Sequence, residues 1–317
     1  MTTILGNVFR EYRLVSAGQL QAELNMFRQD LSTGLVEIAY PGSDTYYIIF
    51  TEGRPNEIYQ HGPNRVQRLD SINPHTFFAN KGEASLRICP VPLRFFRAIK
   101  TILAFTTDGE QIVTQTSDVI AQLAVLQKTP EPIIVQITWP SSEGFVFLPG
   151  NNWPAREFLF ISEGQARDNN PGVTIISRWP ERECTFHIYR WNPAITIWRE
   201  NNLFVGFSTV FEKILERYDE LAGRALVTRL ENDLNITSRN LSIEVIFSGK
   251  TVDDLQIFPT AASAVTAYRS LFKTAFLQIS AVVGPRLMRD TLEESLDQLS
   301  PPVREILLEM RIFDTAI

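Results

Sequence analysis

The sequence predicts an α+β protein, in which two tandem β-rich modules with flanking helices precede a helical C-terminal region. Three observations favour this fold class. Alternating apolar residues bounded by turn residues, which are typical of strands, dominate the first two thirds of the chain. A similar series of motifs then recurs at a nearly constant offset. Beyond residue 207, apolar residues return at helical spacing.

The composition is that of an ordinary globular protein. The chain has 317 residues, of which 44% are hydrophobic and 21% charged, enough for more than one domain. A net charge of -6 argues against a nucleic acid or an anionic membrane as the main partner, since both require a basic face. The first residues lack a signal-peptide pattern, and no run approaches the ~20 apolar residues of a membrane span. We therefore expect a cytoplasmic protein.

The first module is predicted to cover residues 1–128. Leu20, Leu24 and Phe27 share one face of a helix at 16–30. Residues 46–60 form a β-hairpin whose turn is Glu52-Gly53. The other expected elements are strands at 35–40 and 84–89, a helix at 93–103 and a helical segment at about 117–127. Residues 129–132, Thr-Pro-Glu-Pro, form the clearest linker.

The second module, residues 133–206, is predicted to be a diverged copy of the first. Three pairs of segments carry the repeat: 35–40 with 134–139, 86–89 with 186–189, and the turns at 52–53 with 163–164. The first two pairs are offset by 99 (134 − 35) and 100 (186 − 86) residues. The turns are offset by 111 (163 − 52) because of an insertion around 148–154. The shared order of the motifs favours duplication over chance.

The third region, residues 207–317, is predicted to be mainly helical. Apolar stripes run along helices at 208–230 and 261–283, and a strand is expected at 241–247. The stripe residues include Phe211, Ile214, Tyr218, Val265, Phe272, Leu292, Leu296, Ile306 and Leu307. Such stripes serve either as the internal core of the region or as the surface of a homodimer.

The residues with catalytic chemistry are sparse and unpatterned. The three histidines are His61, His75 and His187, and only His61 lies beside the hairpin in a position of interest. No triad, phosphate-loop or metal-ligand spacing surrounds it, and Cys89 and Cys184 stand alone. The sequence therefore predicts no enzyme, no catalytic residue, no cofactor and no metal.

A basic group surrounds the first hairpin. It consists of Arg54, Arg65 and Arg68, with His61 and Lys81 nearby. A short helical turn at 64–69 would place Arg65 and Arg68 on one side. One interpretation is a docking site for an acidic partner or a phosphoryl group; the other is ordinary surface charge. The second module has no matching group, which favours a specific use of the first.

The tryptophans all lie in the second module, at positions 139, 153, 179, 191 and 198. They could fill the core of a small β-module, or present a face to a sugar or a peptide. We assign most of them to the core. Trp153 stands in the insertion and is the one candidate for contact with a ligand or partner.

Residues 31–69, together with 81–90, resemble the PATAN (PatA N-terminal) modules of bacterial signalling proteins. Those modules have a helix, a Gly-Leu strand, an aromatic strand ending in Phe-x-x-Gly-Arg, and a return strand. Here Gly34-Leu35, Phe50, Gly53 and Arg54 follow that order. Of a later family segment the chain retains Gly62 and Arg68. The resemblance covers roughly the first hundred residues and implies an adaptor that binds other signalling or motility proteins.

We therefore predict a non-enzymatic protein-interaction adaptor in signalling or motility, with other signalling proteins as partners. An alternative is a small-molecule or carbohydrate-binding protein, or a hydrolase, with a pocket between the repeats that uses Trp153, His61 or the arginines. A nucleic-acid binder is the third and weakest hypothesis, because the chain is acidic.

Overall fold

The computed structural model describes residues 4–42, 44–63, 65–69, 73–168, 179–256, 258 and 260–314. The predicted α+β class is confirmed: these residues contain two six-stranded antiparallel sheets and nine helices. The chain divides into two compact units. Unit 1 contains both sheets, and unit 2 consists of 124–133, 148–156 and 191–317.

The strands of the first sheet are β1 (Arg13–Val15), β2 (Gly34–Ala39), β3 (Thr45–Thr51), β4 (Arg54–Gly62), β5 (Arg65–Arg68) and β6 (Ala84–Pro90). Their spatial order is β1-β6-β2-β3-β4-β5. One face packs on helices α1 (Ala17–Gln29) and α2 (Pro74–Phe78) around a core that includes Leu24, Phe27, Ile48 and Phe50. The helix predicted at 16–30 is thus confirmed, with Ser16 as its N-cap.

The hairpin between β3 and β4 has the predicted turn. Glu52 and Gly53 both have positive φ angles, 48° and 74°, which a two-residue turn between twisted strands requires. A Cβ atom on Gly53 would lie 2.6 Å from the carbonyl oxygen of Arg28, so the turn packs directly on the end of α1. The close approach explains why glycine stands at this position.

The helical turn predicted at 64–69 is wrong. Residues Arg65–Arg68 form β5, which pairs with β4 so that Gly62 faces Arg65 and Tyr59 faces Arg68. Asn64 lies outside the described residues. The polar sequence of β5 has little intrinsic strand preference, and its pairing with β4 determines its conformation.

The second sheet contains β7 (Glu110–Gln115), β8 (Ile133–Thr138), β9 (Ser142–Leu148), β10 (Glu157–Ser162), β11 (Gln165–Asp168) and β12 (Glu183–Arg190). Its order is β7-β12-β8-β9-β10-β11, which is the order of the first sheet with each strand replaced by the one six places later. The repeat seen in the sequence is therefore also a repeat of topology. Strand β7 belongs to this sheet, although it precedes the predicted module boundary at 128.

Two further elements of unit 1 lie against both sheets. Helix α3 (Phe95–Leu103) contacts the first sheet through an ion pair from Lys100 to Glu57 and the second through ring contacts between Phe95 and Phe145. All of its residues except Arg97 are buried. In the N-terminal segment, Leu5 N–H donates to Glu143 of the second sheet, and the Ile4 carbonyl accepts from Arg87 of the first.

Unit 2 is mainly helical. Its elements are part of α4 (Val119–Leu126), then α5 (Ile197–Ala222), α6 (Arg224–Asn240), the hairpin β13 (Val245–Ser248) and β14 (Thr251–Asp254), α7 (Ala261–Val283), α8 (Pro285–Asp297) and α9 (Pro301–Glu309). Helix α5 is central and packs on the other long helices. Gly206 allows α9 to approach, because a Cβ atom there would lie 2.6 Å from Leu307.

Three details of unit 2 differ from the prediction. Gly223, with a φ of 85°, separates two helices where one was expected at 208–230. Strand β13 begins four residues later than the predicted strand at 241. The apolar stripes are buried within the chain, including Phe211, Phe272 and Leu307, so they form a core. Because they are buried, these stripe residues cannot also form the surface of a homodimer.

Candidate functional site

The candidate site is the outer edge of the first sheet, formed by β5. Leu69 N–H donates to the Ile58 carbonyl at 2.8 Å, which continues the β4–β5 ladder by one pair. Because hydrogen-bonded and non-bonded pairs alternate in an antiparallel ladder, the N–H and C=O groups of Val66 and Arg68 point away from β4. Within the described residues no strand pairs with that side of β5. On this side, the backbone groups of Val66 are available to another extended chain.

Two arginines lie on opposite faces of this edge, which we call the β5 edge. Side chains alternate along a strand, so Arg65 and Arg68, three positions apart, project to opposite faces. Arg65 lies 3.6 Å from an oxygen of Asp44, and Arg68 lies 3.9 Å from an oxygen of Glu57. The Arg65–Asp44 pair is long and its guanidinium is exposed, so it contributes little, roughly 0–1 kcal/mol. The Arg65 guanidinium can therefore turn towards a stronger acidic ligand at small cost.

Arg54 is exposed but lies apart from the other two arginines. It begins β4 at the hairpin turn, whereas Arg68 is opposite Tyr59. Tyr59 is five positions along the strand from Arg54, a distance of about 17 Å. The three predicted docking arginines thus form a pair on the β5 edge and a single residue at the hairpin turn.

His61 does not belong to the docking surface. It is 4% exposed and faces the interior of unit 1. A ring nitrogen donates to the Leu103 carbonyl, the ring packs edge-on against Tyr47 at 5.2 Å, and Nε2 has no partner. Burial lowers the pKa of His61 to about 4, so the imidazole is neutral at physiological pH. The prediction that His61 contacts a partner is wrong, because strand β4 directs its side chain into the interior of unit 1.

A small cavity adjoins His61. It is lined by residues of both sheets and of the α3 region, including Tyr47, Leu103 and Tyr189, and has a volume of about 10 Å³. That volume suffices for about one water molecule. It is far below the several hundred cubic ångströms that a sugar or another small ligand requires.

Lys81 also lies away from the β5 edge. Its ammonium group is 4.1 Å from the ring centre of Tyr46 and 4.4 Å from that of Phe77, with the rings of Tyr40 and Phe78 slightly further away. It donates to the Tyr46 hydroxyl at 2.7 Å. Lys81 is therefore held within its own module by cation–π contacts.

Trp153 lies in unit 2. Its indole N–H donates to the Gln298 carbonyl at 2.9 Å, and its own carbonyl accepts from Gln127. Its ring is half-buried and lies 5.6 Å from the ammonium group of Lys213. Trp139 is buried and packs against Trp179 and Phe160, as expected of core residues. The contacts of Trp153 hold the insertion to the helices of unit 2.

The buried charges of unit 1 were missed in the sequence. Arg87 donates from Nε to Glu37 at 2.9 Å, and both side chains are buried. Glu143 is fully buried; its Oε1 accepts from Leu5 N–H and from Gln136, while Oε2 has no partner. Burial raises the pKa of Glu143 to about 7, against the hydrogen bonds and the field of Arg87. A charged residue inside an apolar strand is the one sequence signal that could have pointed to them.

Two further features hold for the part of the chain that the structure describes. No group of three histidine, cysteine or acidic side chains is arranged to hold a metal ion there. Each helix in those ranges is too short or too polar to cross a bilayer.

Comparison with protein-family models, with curated proteins and with solved structures finds no match to this chain. The resemblance of residues 31–69 to the PATAN modules therefore stays a prediction.

Proposed function

We propose that the protein is a non-enzymatic adaptor that binds an acidic, extended segment of a partner protein at the β5 edge. The observation that carries this proposal is a strand edge beside which the described residues place no further strand, with arginines on both of its faces. An incoming strand would bond to the outward groups of Val66. Its carboxylates on the two faces would meet Arg65 and Arg68.

Electrostatics favour an acidic partner at this edge. The chain as a whole carries a charge of -6, so a general attraction to acidic proteins is not expected. The attraction must therefore be local. Arg65 provides it, since its ion pair with Asp44 is long, its guanidinium is exposed, and a bidentate contact with a carboxylate is stronger.

The pocket-based alternative has less support. The cavity at His61 has room for about one water molecule, and Trp153 is held by residues of unit 2. Neither His61 nor Trp153 therefore provides the pocket that the carbohydrate-binding hypothesis requires. The PATAN-like features of the first module support partners in bacterial signalling or motility, and we propose a cytoplasmic location on the same basis.

The test is affinity capture from a lysate of the native cells, with the full chain as bait. We compare the wild type with the charge-reversed variant R65E/R68E. A matched control, R224E/R229E, makes the same change of charge on exposed positions of α6. A photo-reactive residue at the exposed position Gln67 in β5 then marks proteins that touch the edge.

We expect the wild type and the helix control to retain the same partner, cross-linked through position 67. R65E/R68E should retain at least tenfold less of that partner. All three proteins must show the same far-UV circular dichroism. Equal retention by R65E/R68E, or cross-linking that is absent from position 67, would contradict docking at the β5 edge.

A further inference from the structure

Within the described residues the two sheets have four edge strands, and one of these strands carries none of the usual protections against pairing. Strand β1 has only three residues, and Arg13 is bound to Glu23 at 2.8 Å. Strand β5 carries two arginines, and β11 has four residues. Short strands and cations are the usual means by which proteins prevent edges from associating. Strand β7 has six residues with no cation, no proline and no bulge in its register.

The side chains of β7 are exposed and mostly neutral. Val113 is 71% exposed, the highest value among the large hydrophobic residues that the structure describes. Its counterpart in the first sheet, Leu14, is similarly exposed but stands in the three-residue strand β1. The one charged residue, Glu110, is already paired with Arg190 at 2.9 Å. The β7 edge is thus a six-residue strand edge whose one charged side chain is already paired.

The direction of the backbone groups determines the register of any added strand. Thr116 N–H donates to the Arg182 carbonyl at 2.7 Å, continuing the register in which Gln115 faces Glu183. By the alternation of an antiparallel ladder, the groups of Gln111, Val113 and Gln115 point away from β12. Two copies of β7 can form an antiparallel ladder only if the residues whose backbone groups point away from β12 lie opposite each other.

A two-fold axis at Val113 satisfies this condition for every outward group. Val113 then faces Val113 of the second copy, and Gln111 faces Gln115. On the other face, Ile112 is opposite Thr114. These pairs join β-branched residues to each other and amides to each other, and they place no like charges opposite one another. The sequence Gln-Ile-Val-Thr-Gln is therefore complementary to itself at the centre of β7.

We infer that the protein forms a homodimer in which the β7 strands of two copies pair antiparallel around Val113, joining the two second sheets into one continuous sheet. This interface is distinct from the β5 edge and does not depend on the adaptor proposal. The arginines would repel a second copy at the β5 edge, whereas the neutral β7 edge accepts one. Paired edge strands alone bury less than a standard interface, so the dimer dissociates on dilution.

Sedimentation equilibrium over a range of concentrations tests the inference. We expect the wild-type mass to rise from one chain towards two. Two variants should remain at one chain: V113K, which adds an edge charge, and V113P, which removes an outward N–H that β12 does not use. The matched control L14K places the same charge on the equally exposed Leu14 and should associate as the wild type does.

Cross-linking tests the register. The native cysteines, Cys89 and Cys184, are buried, so a short bis-maleimide should react with an introduced cysteine. V113C should give a cross-linked dimer, while Q115C, which faces position 111, should give at least fivefold less. A wild-type mass that stays at one chain at the highest soluble concentration overturns the proposal and leaves this edge to a strand of another protein. Association of V113K equal to that of the wild type overturns it as well, whether or not V113P folds.

Discussion

The two sheets share one strand order but differ in the polar groups inside them. In the first sheet, Glu37 and Arg87 form a buried ion pair. The positions offset by 99 (37 + 99) and 100 (87 + 100) in the second sheet are Gln136 and His187, which are uncharged. There the buried carboxyl is Glu143, which binds Gln136 and a backbone N–H.

The difference teaches that this topology does not depend on any one polar network. Each sheet retains its apolar faces and its turns, while the polar side chains that form hydrogen bonds and ion pairs in the interior differ. Equivalent edges differ in charge as well, since β1 carries Arg13 whereas its counterpart β7 carries no cation. Edges of different charge can bind different partners, which is consistent with both proposals above.

The largest expected effect comes from breaking the ion pair of the first sheet. R87M leaves Glu37 buried without its cation and should lower the free energy of unfolding by about 3–5 kcal/mol. The double variant E37L/R87M removes both charges and should recover most of this loss. In the second sheet, H187L should cost about 1 kcal/mol, because no charge is left unpaired. Urea denaturation of the four proteins measures these values, and a double variant no more stable than R87M would contradict the account.

The next effect is a dependence of stability on pH. The pKa of Glu143 is raised from 4.5 to about 7 on folding. Below pH 4.5 this carboxyl is protonated in both states and costs nothing. As the pH rises from 4.5 to about 7, the carboxyl ionises in the unfolded state but not yet in the folded state. The free energy of unfolding therefore falls by up to about 3 kcal/mol. E143Q should abolish this fall.

His61 acts in the opposite direction. Its pKa is lowered from 6.5 to about 4, so its contribution to stability is complete above pH 6.5 and is lost as the pH falls towards 4. Between pH 4.5 and 6.5 the two groups nearly offset each other. Unfolding free energies across this range should therefore decrease on acidification in E143Q and increase in H61F, relative to the wild type. Parallel curves for all three proteins would show that neither group has a shifted pKa.

A smaller effect separates the two hairpin turns. Gly53 and Gly164 have nearly the same φ, 74° and 72°, so alanine costs each of them about 1–2 kcal/mol of backbone strain. A Cβ atom at position 53 would also meet the Arg28 carbonyl at 2.6 Å, whereas at position 164 the nearest atom is 3.9 Å away. We expect G53A to be about 2 kcal/mol less stable than G164A in thermal or urea unfolding. Equal losses would mean that the packing of the turn on α1 contributes nothing.

The smallest effect concerns Lys81. Its counterpart at an offset of 100 is Glu181, which accepts hydrogen bonds from Ser141 and from the indole N–H of Trp179. K81M keeps the apolar stem but removes the cation from the four aromatic rings, and it should cost about 1 kcal/mol. K81R retains a cation and should cost less. A K81M protein as stable as the wild type in urea would contradict a cation–π contribution.

Much of the fold could be predicted because its signals are local. The capped helix at 16–30, the hairpin turn and the repeated apolar strands depend on neighbouring residues. Strand β5 and β14 could not be predicted in this way. Aspartates such as Asp253 and Asp254 are typical of turns, but Asp254 is buried in β14 and accepts from the Tyr268 hydroxyl. Its partner lies on α7, beyond the reach of any local pattern.

The candidate site was predicted in part for the same reason. The exposure of Arg54, Arg65 and Arg68 follows from their charge. The direction of His61 does not, because it depends on the strand register and on Leu103, more than forty residues away (103 − 61). Glu143 is a similar case, since its pKa is set by burial against elements far along the chain.

Helix α3 has a consequence for how the protein is made. The residues that cover one side of it, Phe145 and Glu157, are synthesised well after the helix itself. At ~5–20 residues per second, the ribosome needs roughly 4–16 s to add residues 110–190. During that time the first sheet covers one side of α3, and the apolar side that contacts the second sheet remains exposed. We therefore expect the nascent chain to expose apolar surface of the kind that chaperones bind until its second sheet emerges.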